Sequence, residues 1–473
     1  MTNSRINRVI EIAKPLSDIF RENGKKLYLV GGAVRDLFLD DTVLDNSDTD
    51  DPGFDLDFTT DALPDEIESL LRGKTESIWL QGKRFGTIGV YLSGHKFEVT
   101  THRAEVYHQD SRKPRVTYTD DIEMDLSRRD FTINAMALSL DDGPPRMIDP
   151  FGGLEDLANR RLVTPLSPEI SFSEDPLRML RAARFIAKLD LTPDSEIINA
   201  ISQMHNRLSI VSAERIRDEF DKLMVLPHPK TGLEFLVKTG LAEEFIPELP
   251  ALELEQDPIH RHKDVLAHTI AVVEKASPDR ILRLAALFHD VGKPRTKQIT
   301  PDGVTFYHHD AVGAKMTRKR MTALKYSAQD IDEVASLVFL HLRFHTYQSG
   351  WSDSAVRRYV RDAGPLLEKL NELTLCDSTT RNQNKVKALR DRMSELKVRI
   401  AQLREQEELN SIRPEIDGSE VMNLLDIPPS RTVGEALDYL LEIRLEEGIL
   451  GREEIIARLK SWWEARNQSY PDE

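Results

Sequence analysis

The sequence holds a single cysteine, Cys376. No internal disulfide framework is possible, which fits a reducing compartment. No apolar run approaches the roughly 18 residues that a membrane helix needs. The first residues, MTNSRINRVIEIAKP, lack the apolar core of a signal peptide. An excess of positive charge is also missing: 64 Lys and Arg face 80 Asp and Glu, for a net charge of −16. That excludes a generic basic nucleic-acid coat protein, so any nucleic-acid site must be a local basic patch on an acidic body. Internal repeats are absent. A soluble, cytoplasmic chain without membrane contact is the expectation. Its 473 residues, at about 150 per domain, suggest roughly three domains. Hydrophobic residues are 40% and charged residues 30%, a balance that argues against bulk disorder.

The first 165 residues mix strand and helix signals. KKLYLVGGAVRDLFL reads as strand, glycine turn and helix, and FDLDFTT, FGTIGVYL and KFEVTT read as short strands. Nine aspartates between Asp40 and Asp61 suggest an exposed loop framing one strand. EVYHQDSRKPRVTYTDD has no clean period and reads as a second loop. From about Ser171 the pattern is helical: EDPLRMLRAARFIAKL, SAERIRDEFDKLM and TGLEFLVKTGLAEEF carry apolar residues at three-to-four spacing. PELPALELEQDP reads as a linker before a histidine-rich helical block. A charged, heptad-like segment at 385–410 and a small helical tail follow. The expected boundaries are 1–165, 166–255, 256–385 and 386–473.

Several residues carry chemistry. Gly31 and Gly32 lie between an apolar strand and a helix. There a backbone can approach a ligand closely and a helix N-terminus favours anions. Arg35 and Asp36 follow in the first turn. In Phe54-Asp55-Leu56-Asp57-Phe58 the acids alternate with apolar residues, so Asp55 and Asp57 share one face of a strand. Such converging oxygens suit Mg²⁺ and two-metal phosphoryl or nucleotidyl transfer. Glu98, between Phe97 and Val99, could supply a third acid. Acids on a solvated strand would show the same pattern. Arg128 and Arg129 could grip a triphosphate, with Asp130 and Asn134 one helical turn apart to reach a ribose or orient the arginines; a charged surface helix start would look alike.

The helix pattern from Glu174 places Asp175 and Arg178 three residues apart and side by side. A carboxylate accepts hydrogen bonds and a guanidinium donates them. That pair matches the amino donor and ring-nitrogen acceptor of cytosine and adenine, and mismatches uracil and guanine. Arg181 and Arg184 continue at three-residue steps. A plain surface ion pair, worth a few tenths of a kcal/mol, is the alternative.

Together, LVGGAVRD (29–36), the Asp55/Asp57 pair, RRDFTINAMA (128–137), DPFGGLEDL (149–157), EDPLRMLRAARF (174–185) and AERIRDEF (213–220) resemble the bacterial tRNA nucleotidyltransferases that share a head with poly(A) polymerase. The resemblance implies an α+β fold, with a polymerase-β-like nucleotidyltransferase head followed by an extended all-α neck, HD and tail region. It also implies that Asp55 and Asp57 hold Mg²⁺, and that Gly32, Arg35 and Arg128 contact the nucleotide. Asp175 and Arg178 would then act as a protein template, with Arg181 and Arg184 beside them. The activity implied is addition of CCA to the tRNA acceptor arm from CTP and ATP. Family members that add only CC, only A, or poly(A) are the alternatives. A CC-adding type has a shortened loop before the double arginine, whereas Arg103 to Ser127 has full length here. Arg112, Lys113, Arg115 and the neck arginines can form a local basic track for RNA.

The series His268, His289-Asp290, His309, His341 and Asp377 resembles the HD metal-dependent phosphohydrolases. His268, His289, Asp290 and Asp377 would hold one metal, with His309 and His341 supporting a second; His262 and His308 are nearby substitutes. Imidazole and carboxylate ligands suit Mn, Ni, Co, Fe or Zn. A phosphatase or cyclic phosphodiesterase acting on RNA ends would complement the head, and a residual fold without turnover is the alternative. Cys376 reads as a packed thiol. The charged helix after residue 385 would suit either a homodimer contact or a tRNA contact.

Overall fold

The computed structural model describes residues 2–39, 56–106, 115–140, 144–254, 264–301, 303–346, 351–379, 382–407 and 413–469. They form two compact units, Met1–Pro247 and Glu248–Glu473.

The first unit opens with a helix, Thr2–Glu22, which the sequence reading did not anticipate. Its stripe Val9, Ala13, Leu16 and Phe20 is fully buried, at the three-to-four spacing of a core-facing helix. The first nine strands of this unit are β1 (Leu27–Val30), β2 (Leu56–Thr60), β3 (Ser77–Trp79), β4 (Thr87–Leu92), β5 (His95–Thr101), β6 (Arg103–Val106), β7 (Arg115–Tyr118), β8 (Ala137–Ser139) and β9 (Arg146–Ile148). Seven make one sheet in the order β3-β4-β5-β2-β1-β8-β9. Within this sheet β2 and β5 pair in parallel, and the other neighbours are antiparallel. One face buries Leu56, Phe58, Ile88, Val90, Phe97 and Val99 together with the first helix and the helix Pro64–Leu71. Alternation sends the intervening residues to the opposite face. β6 and β7 form a separate two-stranded ladder at the ends of the segment that reads as a loop.

Helices continue this unit. Leu177–Leu189 packs against Ala213–Met224 and Lys230–Lys238. Phe185 meets Phe131 edge-to-face at 5.8 Å, so the neck helix and the segment leading into β8 share one core.

In the second unit the helix Arg280–Phe288 is buried at eight of its nine positions, as a helix that is apolar all round must be. Asp279 caps it by accepting from Leu282 N at 2.9 Å. Arg283, 1% exposed, is tolerated because Nε donates to the carbonyls of Ala276 and Ser277. Around this helix pack Val265–Lys275, Ala328–Leu340 and Leu367–Asp377, with His309–Ala323 against Ala328–Leu340. The charged segment forms one helix, Gln383–Glu407, which buries Leu389, Met393, Leu396, Ile400 and Leu403. The tail has its own core, built on Val421, Ala436, Leu440, Ile455 and Leu459. No helix among the described residues is long and apolar enough to cross a membrane.

Candidate functional site

In the first unit the glycine turn lies between β1 and a helix, Gly32–Asp36, as the pattern predicts. Gly31 has φ +73°, and a Cβ there would meet Arg129 Nη1 at 2.8 Å. Only glycine combines that backbone with so close a guanidinium. Asp57 is exposed on β2 and lies in register with Glu98 on β5, so both acids project from one face of a parallel pair. Phe97 and Val99 are fully buried behind Glu98. Asp55 lies outside the described residues, as do Arg112, Lys113, His262 and the Asp-rich stretch from Asp40.

The arginines are organised by a residue the sequence reading missed. Asp125, fully buried, accepts from Arg128 Nε at 3.1 Å and Nη2 at 2.7 Å, from Arg129 Nη2 at 3.4 Å, and from the backbone N–H of Arg103 at 3.2 Å. Burial pushes its pKa up, but Arg128 and Arg129 outweigh burial and hold it below the ordinary carboxylate value. Burial in turn lowers Arg129, which Asp125 and Asp57 oppose; a guanidinium stays charged regardless. The only local signal was an acid three residues before the double arginine.

Asp130 and Asn134 lie in a buried turn rather than on a surface helix. Asp130 Oδ1 accepts from Asn134 Nδ2 at 3.0 Å, and its Oδ2 accepts from Arg181 Nε at 2.8 Å. Asn134 Oδ1 accepts from Arg35 Nη1 at 2.6 Å, and Arg35 Nε donates to Asp36 at 2.8 Å. Burial raises Asp130, yet Arg181 and Asn134 bring it below its ordinary value. One chain of bonds thus links the glycine-turn helix to the neck helix. Arg35, Arg181 and Arg184 all stand over the Phe185 ring, at 5.2, 5.5 and 4.4 Å. Arg184 also pairs with Glu219, another partner the sequence reading missed.

The expected side-by-side arrangement of Asp175 and Arg178 on one helix is corrected. Asp175 is extended (φ −139°, ψ 100°) and ends the helix Pro168–Glu174; the next begins at Leu177. The cause is Pro176, which cannot donate an N–H and drives the preceding residue out of the helical region. Asp175 accepts from Arg215 Nη2 at 2.8 Å. Arg178 donates to Ser171 Oγ at 3.0 Å, Glu174 at 3.2 Å and the Arg128 carbonyl.

In the second unit five elements converge. His268 comes from the first helix of the block, His289 and Asp290 from the end of the central helix, and His309 from a helix start. His341 and Asp377 close two further helices. Donor atoms of His268, His289 and Asp377 lie within 4.8 Å of one another, and so do those of Asp290, His309 and His341. All six expected residues are therefore brought together, in two triads. His289, His309 and His341 direct Nδ1 to the carbonyls of Ala286, Phe306 and Val338 at 2.6–2.8 Å. That ties each Nδ1–H to a carbonyl and turns Nε2 towards the cluster, where it can take either a proton or a metal ion. These three buried Nε2 atoms make no hydrogen bond, although His289 Nε2 is 3.2 Å and His309 Nε2 3.4 Å from Asp290 oxygens. At such distances a proton or a metal ion must lie between the nitrogen and the carboxylate oxygen. The electrostatics agree. Burial pushes His289 down, but Asp290 and Asp377 outweigh burial and raise it to about 10. Burial and His289 press His341 down to about 4. The donor set therefore fits a transition metal. Lys293, with Nζ 2.6 Å from Asp290 Oδ2, and Thr379, bonded to His268 Nδ1 at 2.9 Å, complete the surroundings. The buried Cys376 thiol is raised by burial to about 11, which suits a packed group.

Comparison with known proteins follows this division. Residues 27–163 match the model of the "Poly A polymerase head domain", 190–252 that of the "Probable RNA and SrmB- binding site of polymerase A", and 265–402 that of the "HD domain". A CCA-adding enzyme of Lactobacillus helveticus is 38% identical over 233 residues, which are 49% of this chain and 54% of that protein. The chain thus spans about half the length of such relatives. An A-adding tRNA nucleotidyltransferase of Deinococcus radiodurans is 34% identical over 356 residues, 72% of this chain and 80% of that protein. A solved CCA-adding enzyme of Bacillus stearothermophilus in complex with CTP aligns over 98% of this chain and 99% of its own, with TM-score 0.65 at 23% identity; this is a likeness of fold. By these matches and its two sites, the chain belongs to the bacterial tRNA nucleotidyltransferase family, with a poly(A) polymerase-type head and an HD domain.

Proposed function

We propose that the chain adds the 3′-terminal CCA to tRNA from CTP and ATP, without a nucleic-acid template, releasing diphosphate. The observation that carries this reading is the register of Asp57 beside Glu98, on the side of the glycine turn where Arg128 and Arg129 are clasped by Asp125. Asp55 and Asp57, with Glu98 beside them, would hold Mg²⁺. Bound there, divalent metal supplies a lowered pKa for the attacking hydroxyl and charge stabilisation on the transferred phosphoryl. Arg128 and Arg129 bind the triphosphate, and Gly31 and Gly32 let the backbone approach it. Asp130, Asn134 and Arg35 hold the ribose side, while Arg181 and Arg184 brace that network from the neck. Asp175 and Arg178 read the base edge by accepting from, and donating to, the pattern shared by cytosine and adenine. For that reading Arg215 and Glu174 must release them, an exchange of ion-pair partners that the nucleotide offsets.

The test offers the full chain tRNA lacking its last three nucleotides, with Mg²⁺ and labelled nucleotides singly and together. Ordered gain of C, C and A is expected. Gain of A alone, or long A tails, would move the chain to the partial activities, one of which the Deinococcus radiodurans relative bears in its name. No gain at all would remove the reading.

The unpartnered imidazole nitrogens favour a second activity. We propose that the HD cluster holds a transition metal and hydrolyses phosphate esters at RNA ends. His268, His289 and Asp377 would take one ion, and Asp290, His309 and His341 another. Metal analysis of purified protein, followed by phosphate release from 2′,3′-cyclic RNA ends, tests this; protein that binds no metal would contradict it.

A further inference from the structure

The face of the sheet that carries the acids does not end with them. One row of matched register crosses four strands: Asp57 on β2 to Glu98 on β5, Glu98 to Gly89 on β4, and Gly89 to Trp79 on β3. Residues in register share a face. A Cβ at Gly89 would meet Trp79 Cε2 and Nε1 at 1.9 Å. The half-buried indole therefore folds back over Gly89 towards Glu98, into space that any other side chain would fill. With strands about 4.8 Å apart, the ring stands roughly 10 Å from Asp57. Lys96 joins the two: its Nζ is 5.4 Å from the Trp79 ring centroid and 3.6 Å from Glu98 Oε1. Its side chain is 57% exposed. Tyr91, 41% exposed, lies beside it in register.

We propose that Trp79, with Lys96, is a stacking platform for the nucleobases at the 3′ end of the acceptor RNA strand, just upstream of the reacting hydroxyl. The inference rests on nucleotidyl transfer by the head. Its logic is chemical. The end being extended changes identity with every addition, so hydrogen bonds to one base would fail at the next step. Stacking tolerates any base because every base has a π-face. Lys96 adds a cation for the backbone phosphate beside that ring. The row is continuous with the carboxylates, so a strand stacked on the indole delivers its hydroxyl to the metal-binding face.

An aromatic ring over a glycine can also serve merely to stabilise a sheet edge, and the experiment must separate the two roles. Trp79→Ala and Trp79→Phe are made in the full chain. For Trp79→Ala, KM for truncated tRNA should rise about tenfold or more while KM for CTP stays within about twofold. The melting temperature should be unchanged, and Trp79→Phe should restore most of the loss. Lys96→Ala should flatten the salt dependence of tRNA binding by about one unit of slope. An unchanged KM for tRNA, or equal rises for both substrates with a lowered melting temperature, would overturn the platform and leave Trp79 a cover for Gly89. If the unmutated chain transfers no nucleotide, the proposed activity fails separately. Anisotropy of labelled truncated tRNA then decides the platform, and equal affinity of the unmutated and Trp79→Ala chains overturns it.

Discussion

The two candidate metal centres differ in how far the fold builds them. In the head, Asp57 is exposed and Glu98 is paired only loosely with Lys96, at 3.6 Å. The oxygens are hard and open to water, which suits an ion that arrives with substrate phosphates. In the HD unit, three imidazoles are buried, with Nδ1 tied to a carbonyl and Nε2 turned into the cluster without a hydrogen bond. Donors so held by the fold would suit a resident transition metal. On the proposed reading, burial of donors would separate a borrowed ion from a resident one within one chain.

The sharpest break of this comparison is a crossed pair of variants. Asp57→Ala should lower nucleotide transfer by on the order of a thousandfold or more, with phosphate release and HD metal content unchanged. His289→Ala should do the reverse: bound metal lost, transfer kept within about twofold. Loss of both activities in either variant would end the claim of two independent centres. Next in size is Asp125→Asn, chosen over alanine because it keeps the volume while it removes the charge holding Arg128 and Arg129 and turns one accepting oxygen into a donor. Transfer should fall about ten- to a hundredfold, mostly as a raised KM for the nucleotide; unchanged steady-state kinetics would show that the arginines need no such support. Arg178→Ala should cost about tenfold in discrimination against UTP and GTP, and intact discrimination in competition assays would remove its role in base reading.

The smallest effect is one of pH. His289, raised to about 10, is protonated at neutral pH in metal-free protein and must release that proton to a metal. Metal affinity should therefore rise with pH between about 6 and 9. Calorimetry in buffers of different ionisation enthalpy should find a released proton. Without metal the two histidines pull stability in opposite directions. His341, depressed to about 4, is neutral when folded, so its contribution is lost as pH falls from its ordinary value towards 4. His289 contributes below its ordinary value and loses that contribution as pH rises through about 10.

Local pattern made some of this legible. Strict alternation placed Phe97, Glu98 and Val99 correctly, because a strand face has period two. The candidate histidine and aspartate ligands were legible as a series; His268 lies inside its helix, and the other five sit at or just past a helix end. What escaped was non-local or broken by proline. Asp125 meets the Arg103 backbone 22 positions away, and Arg215 meets Asp175 across 40; spacing encodes neither. Pro176 splits what reads as one helix, and Pro15 inside the first helix masks the stripe Val9, Ala13, Leu16 and Phe20. The β6–β7 ladder has four-residue strands, too short for alternation to register.

The most direct measurement is a crystal structure of the full chain with CTP and Mn²⁺, the ion located by its anomalous signal. The account predicts manganese bridging Asp57 and the triphosphate, with the phosphates on Arg128 and the pyrimidine edge against Asp175 and Arg178. A nucleotide bound away from that face of the sheet, with Asp57 turned from the metal, would contradict it.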